Sequence, residues 1–223
     1  MKTKRKSIKW SRNIAYVVGL LATDGSLSKD ERHIDFTSKD IQLIKIFKNC
    51  LGIKNKITLK TSGFSEKNYF RIQFGNVVLY KWFLKIGLTP NKTKTIGKIK
   101  IQDKYFFDFL RGHFDGDGSC YSYWDKRWNS SFMFYINFVS ASEKHILWLK
   151  YRIDKLVKIN GSMDMVKRNG VYKLKYAKKD SKILISKMYY KKKLPYLKRK
   201  YTKLIKFLLI DNGEMEREKA RVM

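Results

Sequence analysis

The sequence predicts an α+β protein built from two copies of one unit, each running helix, strands, helix, strands, helix. Three observations carry this. Two apolar stretches that each end in Asp-Gly lie 93 residues apart. Each is followed by short segments in which apolar residues take every second place. Stretches of helical periodicity lie between those segments. Strands with one apolar face need cover, and helices supply it.

The duplication is visible at three places. Gly19, Asp24, Gly25 and Ser26 recur as Gly112, Asp117, Gly118 and Ser119. Ile34, Phe36 and Ser38 recur as Ile136, Phe138 and Ser140, now 102 residues on. Leu88, Lys92 and Lys94 match Leu194, Lys198 and Lys200, 106 residues on. Three matches in one order, with lengthening loops, describe a pseudo-twofold pair rather than a solenoid.

In the first copy, residues 14–24 read as a helix stopped by Gly25. Residues 33–37, 56–60 and 69–74 alternate as strands, with helices at 40–51 and 77–86. In the second copy a helix over 105–117 precedes a strand at 132–139 and a helix at 142–158. Strands at 163–165 and 172–176 follow, joined near Asn169-Gly170, a hairpin turn signal. Helices at 182–190 and 196–210 close the unit, and the tail from 211 is expected to fray. The halves are thus expected at 10–97 and 98–210, with a flexible tail over 211–223.

Composition narrows the class. The chain has 223 residues, 43% of them apolar, and only 2 prolines. It is long enough to bury a core without disulfides, and it is not a Pro-rich disordered chain. It has no run of eighteen apolar residues, which argues against a membrane-spanning helix. Cys50 and Cys120 form no CxxC and have no His cluster beside them, so neither zinc nor a disulfide framework is indicated. The basic start and the apolar stretch after it mimic a signal peptide, but a similar segment recurs mid-chain, where no signal sits.

The formal net charge is +31. Such a field repels itself and asks for a polyanionic partner. Nucleic acid leads, and an anionic membrane surface comes second. His33, Thr37, Lys60, Arg71 and Gln73 lie on the polar strand faces of the first copy. Tyr135, Asn137, Lys173 and Lys175 do so in the second. These are groups of the kind that read base edges in the major groove. A polar strand face is more often simply wet; the net charge favours readout.

The first motif helix is apolar all round and therefore buried. Gly19 and Thr23 are four apart, as are Gly112 and Gly116, so small residues share one face of each helix. Two such faces let helix backbones approach closely. That packing brings Asp24 and Asp117 together at one end. There they meet the negative ends of two helix dipoles and repel each other. A divalent cation relieves both penalties, and oxygen-only ligation with room for water and phosphate suits Mg²⁺. Two acids, a metal and a basic surface suggest metal-assisted phosphodiester hydrolysis. A lone Asp-Gly after a helix is most often a turn; its repetition at one place in both copies marks a site.

Residues 17–25 and 110–118 resemble the nine-residue motif of the LAGLIDADG homing endonucleases. The resemblance covers about residues 12 to 210 and includes the stretches at 91–94 and 196–201. It implies a monomer of two αββαββα halves, with two four-stranded antiparallel sheets forming a DNA-binding saddle. The motif helices, through Gly19 and Gly112, form the central interface. Asp24 and Asp117 would hold two or more Mg²⁺ ions, helped by the backbone carbonyls of Thr23 and Gly116. Mn²⁺ would substitute, and Ca²⁺ would bind without turnover. The product would be a double-strand break with 3′ overhangs in a long asymmetric site of about 20 base pairs. Such proteins are usually encoded within introns or inteins.

The resemblance extends the expected DNA contacts. In the first half they are Ser26, Ser28, His33, Asp35, Thr37, Thr58, Lys60, Tyr69, Arg71 and Gln73. In the second they are Ser119, Tyr121, Tyr123, Tyr135, Asn137, Asp164, Lys173 and Lys175. Lys39, Lys92 and Lys198 match positions of family lysines that assist cleavage. The pattern departs at one place: Asp115 of the second motif stands where the first has Ala22. An acid needed in both halves could not be missing from one, so Asp115 reads as structural. His33, His113 and His145 show no relay pattern.

Two other functions fit the same fold: an RNA maturase acting on its host intron RNA, or a DNA-binding regulator that no longer cuts. Paired acids favour the nuclease. A basic structural protein of the ribosomal or chromatin type would explain the charge but not the duplication. Neither a membrane nor an obligate protein partner is expected, and the protein is expected inside the cell, on DNA.

Overall fold

The computed structural model describes residues 8–62, 65–128, 131–166 and 170–213. The first half runs α1 (Arg12–Thr23), β1 (Gly25–Leu27), β2 (His33–Ser38), α2 (Ile41–Leu51), β3 (Thr58–Ser62), β4 (Ser65–Gly75) and α3 (Val77–Ile86). The second runs α4 (Phe106–Asp117), β5 (Ser119–Trp124), β6 (Phe132–Ser140), α5 (Glu143–Val157), β7 (Ser162–Val166), β8 (Val171–Tyr176) and α6 (Lys178–Met188). It then adds α7 (Lys198–Asp211). Both halves are αββαββα. Each sheet is antiparallel with the same strand order, β1-β2-β4-β3 and β5-β6-β8-β7.

The cores follow from the alternation. Ile34 and Phe36 of β2 and Ile72 and Phe74 of β4 point inward, as do Phe134, Ile136 and Phe138 of β6. One continuous apolar cluster joins both halves, with every residue of α1 from Ala15 to Ala22 buried.

Caps set the helix ends. α1 starts at Arg12, two residues earlier than its apolar run, because the Ser11 hydroxyl accepts from the Ile14 N–H at 3.2 Å. Asp40 lies outside α2 and caps it, accepting from the Gln42 N–H. α3 spans its expected residues, between the Asn76 cap and Gly87. Gly87 has φ of 109°, and a Cβ there would stand 2.6 Å from the Lys98 carbonyl oxygen, so only glycine turns the chain at that point.

Several expectations are corrected. β1 and β5 had no signature of their own in the residue pattern. β1 has three residues, too few to alternate, and β5 carries aromatics on both faces. α6 begins at Lys178, not 182, because Ser181 is recruited into the core, its hydroxyl donating to the Tyr176 carbonyl at 2.8 Å. Asp211, the first residue of the expected tail, is the last residue of α7, and its carboxylate pairs with Lys178 and Lys182. The rest of the expected tail, 214–223, and Asn169 of the hairpin turn lie outside the described residues.

Candidate functional site

α1 and α4 pack backbone to backbone. A Cβ on Gly19 would stand 2.2 Å from the Phe109 carbonyl oxygen, and one on Gly112 would stand 2.1 Å from that of Tyr16. One turn on, a Cβ on Gly116 would meet the Thr23 hydroxyl at 2.0 Å and Asp24 Oδ2 at 3.1 Å. The small residues thus let the helices touch along their length, and their C-terminal ends finish side by side.

Asp24 caps α1, its N–H donating to the Leu20 carbonyl at 3.0 Å, and Asp117 is the last residue of α4. Both carboxylates are exposed, at the point where the two sheets begin. Protein crowds them on the remaining sides. That loss of solvation, followed by the charge of Asp117, pushes Asp24 up to about 7. Desolvation also raises Asp117.

A buried lysine stands behind each acid. Lys92 Nζ donates to the Gly25 carbonyl. Lys200 Nζ donates to the carbonyls of Phe114, Gly116 and Gly118 at 2.6, 2.8 and 2.6 Å. Lys200 thus satisfies carbonyls that the end of α4 leaves without helix partners, and both lysines set positive charge against the negative helix ends. Burial lowers both lysines to about 8, while the neighbouring aspartates oppose that fall.

The equivalence of Lys92 with Lys198 is therefore corrected. Lys198 is exposed on the first turn of α7, where its backbone N–H donates to the Gln42 side chain. The structural counterpart of Lys92 is Lys200, which the repeat had matched to the exposed Lys94. Lys39 is exposed too, with Nζ 5.4 Å from the centre of the Tyr69 ring.

Asp115 is buried; burial pushes it up to about 6, and it accepts from the Tyr16 hydroxyl at 2.6 Å and the Leu197 N–H at 2.8 Å. It ties α1, α4 and the start of α7 together. His113 is buried and stacks on His145 with ring centres 5.3 Å apart.

The open face of the first sheet presents Ser26, His33, Asp35, Thr37, Arg71 and Gln73, with Tyr69, Thr58 and Lys60 toward its outer edge. Asp35 holds the Arg71 guanidinium and also accepts from the Thr37 hydroxyl at 3.0 Å. His33 pairs with Asp30, and Ser28 lies just beyond β1. The second sheet presents Ser119, Tyr121, Tyr123, Tyr135, Lys173 and Lys175 on its open face, with Asp164 on β7. Asn137 alternates onto the same face but is buried, its amide donating to the Ser119 hydroxyl at 3.3 Å. It is covered between its cross-strand neighbours rather than presented.

Residues 12–87 match the sequence profile of the family described as LAGLIDADG-like domain. The meganuclease I-SmaMI bound to uncleaveable DNA matches the fold with a TM-score of 0.61, at 15% identity over 90% of each chain. The chain is a LAGLIDADG-fold protein. I-DmoI in complex with DNA and Mn gives a TM-score of 0.52 at 16% identity, over 82% of this chain and 98% of that one. Full-length DUF199/WhiA from Thermatoga maritima gives 0.57 at 15% identity, over 92% of this chain. The chain spans 63% of the length of that WhiA protein. No curated protein matches it in sequence.

Within the LAGLIDADG fold, the donor set at the motif ends fits a hard divalent cation. Two carboxylates and adjacent backbone carbonyls are oxygen donors of the kind Mg²⁺ takes when water and phosphate oxygens complete its shell. Among the described residues no three or more His, Cys, Asp or Glu side chains converge. One lone pair of the Gly116 carbonyl is already engaged by Lys200, which leaves its second for a cation. Among the described residues no helix is long and apolar enough to cross a membrane.

Proposed function

We propose that the chain is a site-specific DNA endonuclease that makes a divalent-metal-dependent double-strand break. The observation that carries this is the meeting of Asp24 and Asp117 across the Gly19–Gly112 contact, with a buried lysine behind each acid. Structures of I-SmaMI with uncleaveable DNA and of I-DmoI with DNA and Mn share the fold. The formal charge of +31 supplies the attraction to phosphate.

In this reading the open faces of both sheets lie along a duplex of about 20 base pairs, roughly 68 Å at 3.4 Å per pair. Strand residues such as Arg71 and Gln73 read base edges, and surface lysines hold the backbone. Asp24 and Asp117, with the carbonyls of Thr23 and Gly116, would hold Mg²⁺. Bound there, Mg²⁺ or Mn²⁺ supplies Lewis-acid charge and lowers the pKa of bound water. Lys92 and Lys200 fix the carbonyl ends of the motif helices and so set where the two acids sit. In this reading one acid would serve each DNA strand, and the expected products carry 3′ overhangs. An intron or intein origin fits this activity.

The test is cleavage of a randomised duplex library in Mg²⁺, with Asp117→Asn as control. Enrichment of one cut site with the native chain alone supports the nuclease. Selective retention of a duplex without any cut moves the conclusion to a DNA-binding regulator. Retention of structured intron RNA in place of duplex moves it to a maturase.

A further inference from the structure

The two open sheet faces differ in chemistry. The first is polar apart from Tyr69 toward its outer edge, and its Arg71 guanidinium is held in place by Asp35. The second carries a ladder of three tyrosines across β5 and β6. Tyr121 and Tyr135 stack with ring centres 5.1 Å apart and 15° between planes, and Tyr123 and Tyr135 stack at 6.1 Å and 12°. Tyr121 and Tyr123 are 38% and 44% exposed. Met133, opposite Tyr123, extends this surface; Val139 lies beyond Asn137, and Val166 pairs with Val171 at the outer edge of the sheet. The first sheet has no aliphatic counterpart to these among its described open-face positions.

A cluster of exposed tyrosines with Met133 beside it, on a chain this basic, marks a contact surface. Lys173 and Lys175 stand on the same face, and Lys175 Nζ lies 5.6 Å from the Tyr135 ring centre. The patch is therefore suited to a partner that is anionic outside and apolar at its point of contact. Tyr135 has a neighbouring ring on each side, so it presents an edge rather than a free face, which does not suit stacking of an unpaired base. In the major groove of duplex DNA the apolar group is the thymine methyl.

Resting on the nuclease reading above, we infer that the two halves read their half-sites by different chemistry. The first sheet reads through hydrogen bonds led by Arg71. The second reads thymine methyl groups through the tyrosine ladder and Met133. Its half-site is thymine-rich at the positions facing β5 and β6.

The test takes the duplex selected from the randomised library and replaces thymine by deoxyuridine in one half-site at a time. Uracil keeps every hydrogen-bonding group and lacks only the methyl. Affinity is expected to fall about fourfold for each methyl removed in one half, and to stay within about twofold in the other. In the double variant Tyr121→Ser, Tyr135→Ser the sensitivity to uracil disappears, whereas in Arg71→Ala it remains. Equal affinity for thymine and uracil duplexes, sensitivity that survives the tyrosine variants, or a selected site without thymine in either half overturns the inference while leaving the nuclease reading intact. Failure to select any duplex overturns both.

Discussion

Replacing Gly112 by Ala tests the helix contact on which the site depends. The added Cβ would stand 2.1 Å from the Tyr16 carbonyl oxygen, where ordinary contacts begin near 3.4 Å. The colliding atom is backbone, so no side chain swings away, and α1 and α4 must part by about 1 Å. A gap of that size forfeits up to about half of each lost contact's attraction, and forced overpacking costs about 3 kcal/mol at the upper end of its usual range. Alanine returns about 1 kcal/mol of helix propensity. The net loss is about 2 kcal/mol, or about 4–8 °C in Tm for a chain of this length. Gly97→Ala is the control, since nothing lies within 4 Å of its Cβ position. Thermal melts followed by circular dichroism should show Gly112→Ala destabilised and Gly97→Ala close to the native chain. A Gly112→Ala protein as stable as the native one would refute the close backbone contact, and with it the placement of the two acids.

Two further outcomes follow from the charges around the site. Desolvation and the charge of Asp117 hold Asp24 at about 7, so a cation must displace a proton there at lower pH. Mn²⁺ affinity of the free protein, read by titration, should therefore fall by up to about tenfold per pH unit as pH drops below about 7; affinity unchanged between pH 7 and 5.5 would contradict this. Lys200→Met removes three charge-assisted hydrogen bonds to carbonyls at the end of α4, each of a type worth about 1.5–3 kcal/mol. With partial rescue by water it should cost about 3 kcal/mol in urea denaturation, whereas Lys198→Met should stay within about 0.5 kcal/mol.

Much of this was legible in the sequence, for physical reasons. α3 is bracketed by a capping Asn76 and a stopping Gly87, so both its ends are written in residue types. The paired acids stood out because a costly feature occurred twice at one place. Lys200 was missed for a geometric reason. Lys92 sits on a 3-10 turn and Lys200 on an α-helix, and these rise about 2.0 and 1.5 Å per residue. Equal spacing along the chain therefore does not deliver a lysine to equal depth. The available signal is that Lys200, in the first turn of α7, shares a helical face with Leu204 and Phe207, four and seven residues on. Asn137 shows a second limit: alternation placed it on the open face, but cross-strand neighbours decide whether that face is wet. Strand β5 shows a third, since Tyr121 and Tyr123 on one side and Trp124 on the other erase the polar half of the alternation.

The most direct measurement of the central claim compares the native chain with Asp24→Asn and Asp117→Asn on the selected duplex, in Mg²⁺ and in Ca²⁺. Both variants are expected to bind the duplex in Ca²⁺ within a few-fold of the native chain, and neither is expected to give the double-strand break in Mg²⁺. A break made by either variant at the native rate would contradict the two-acid site.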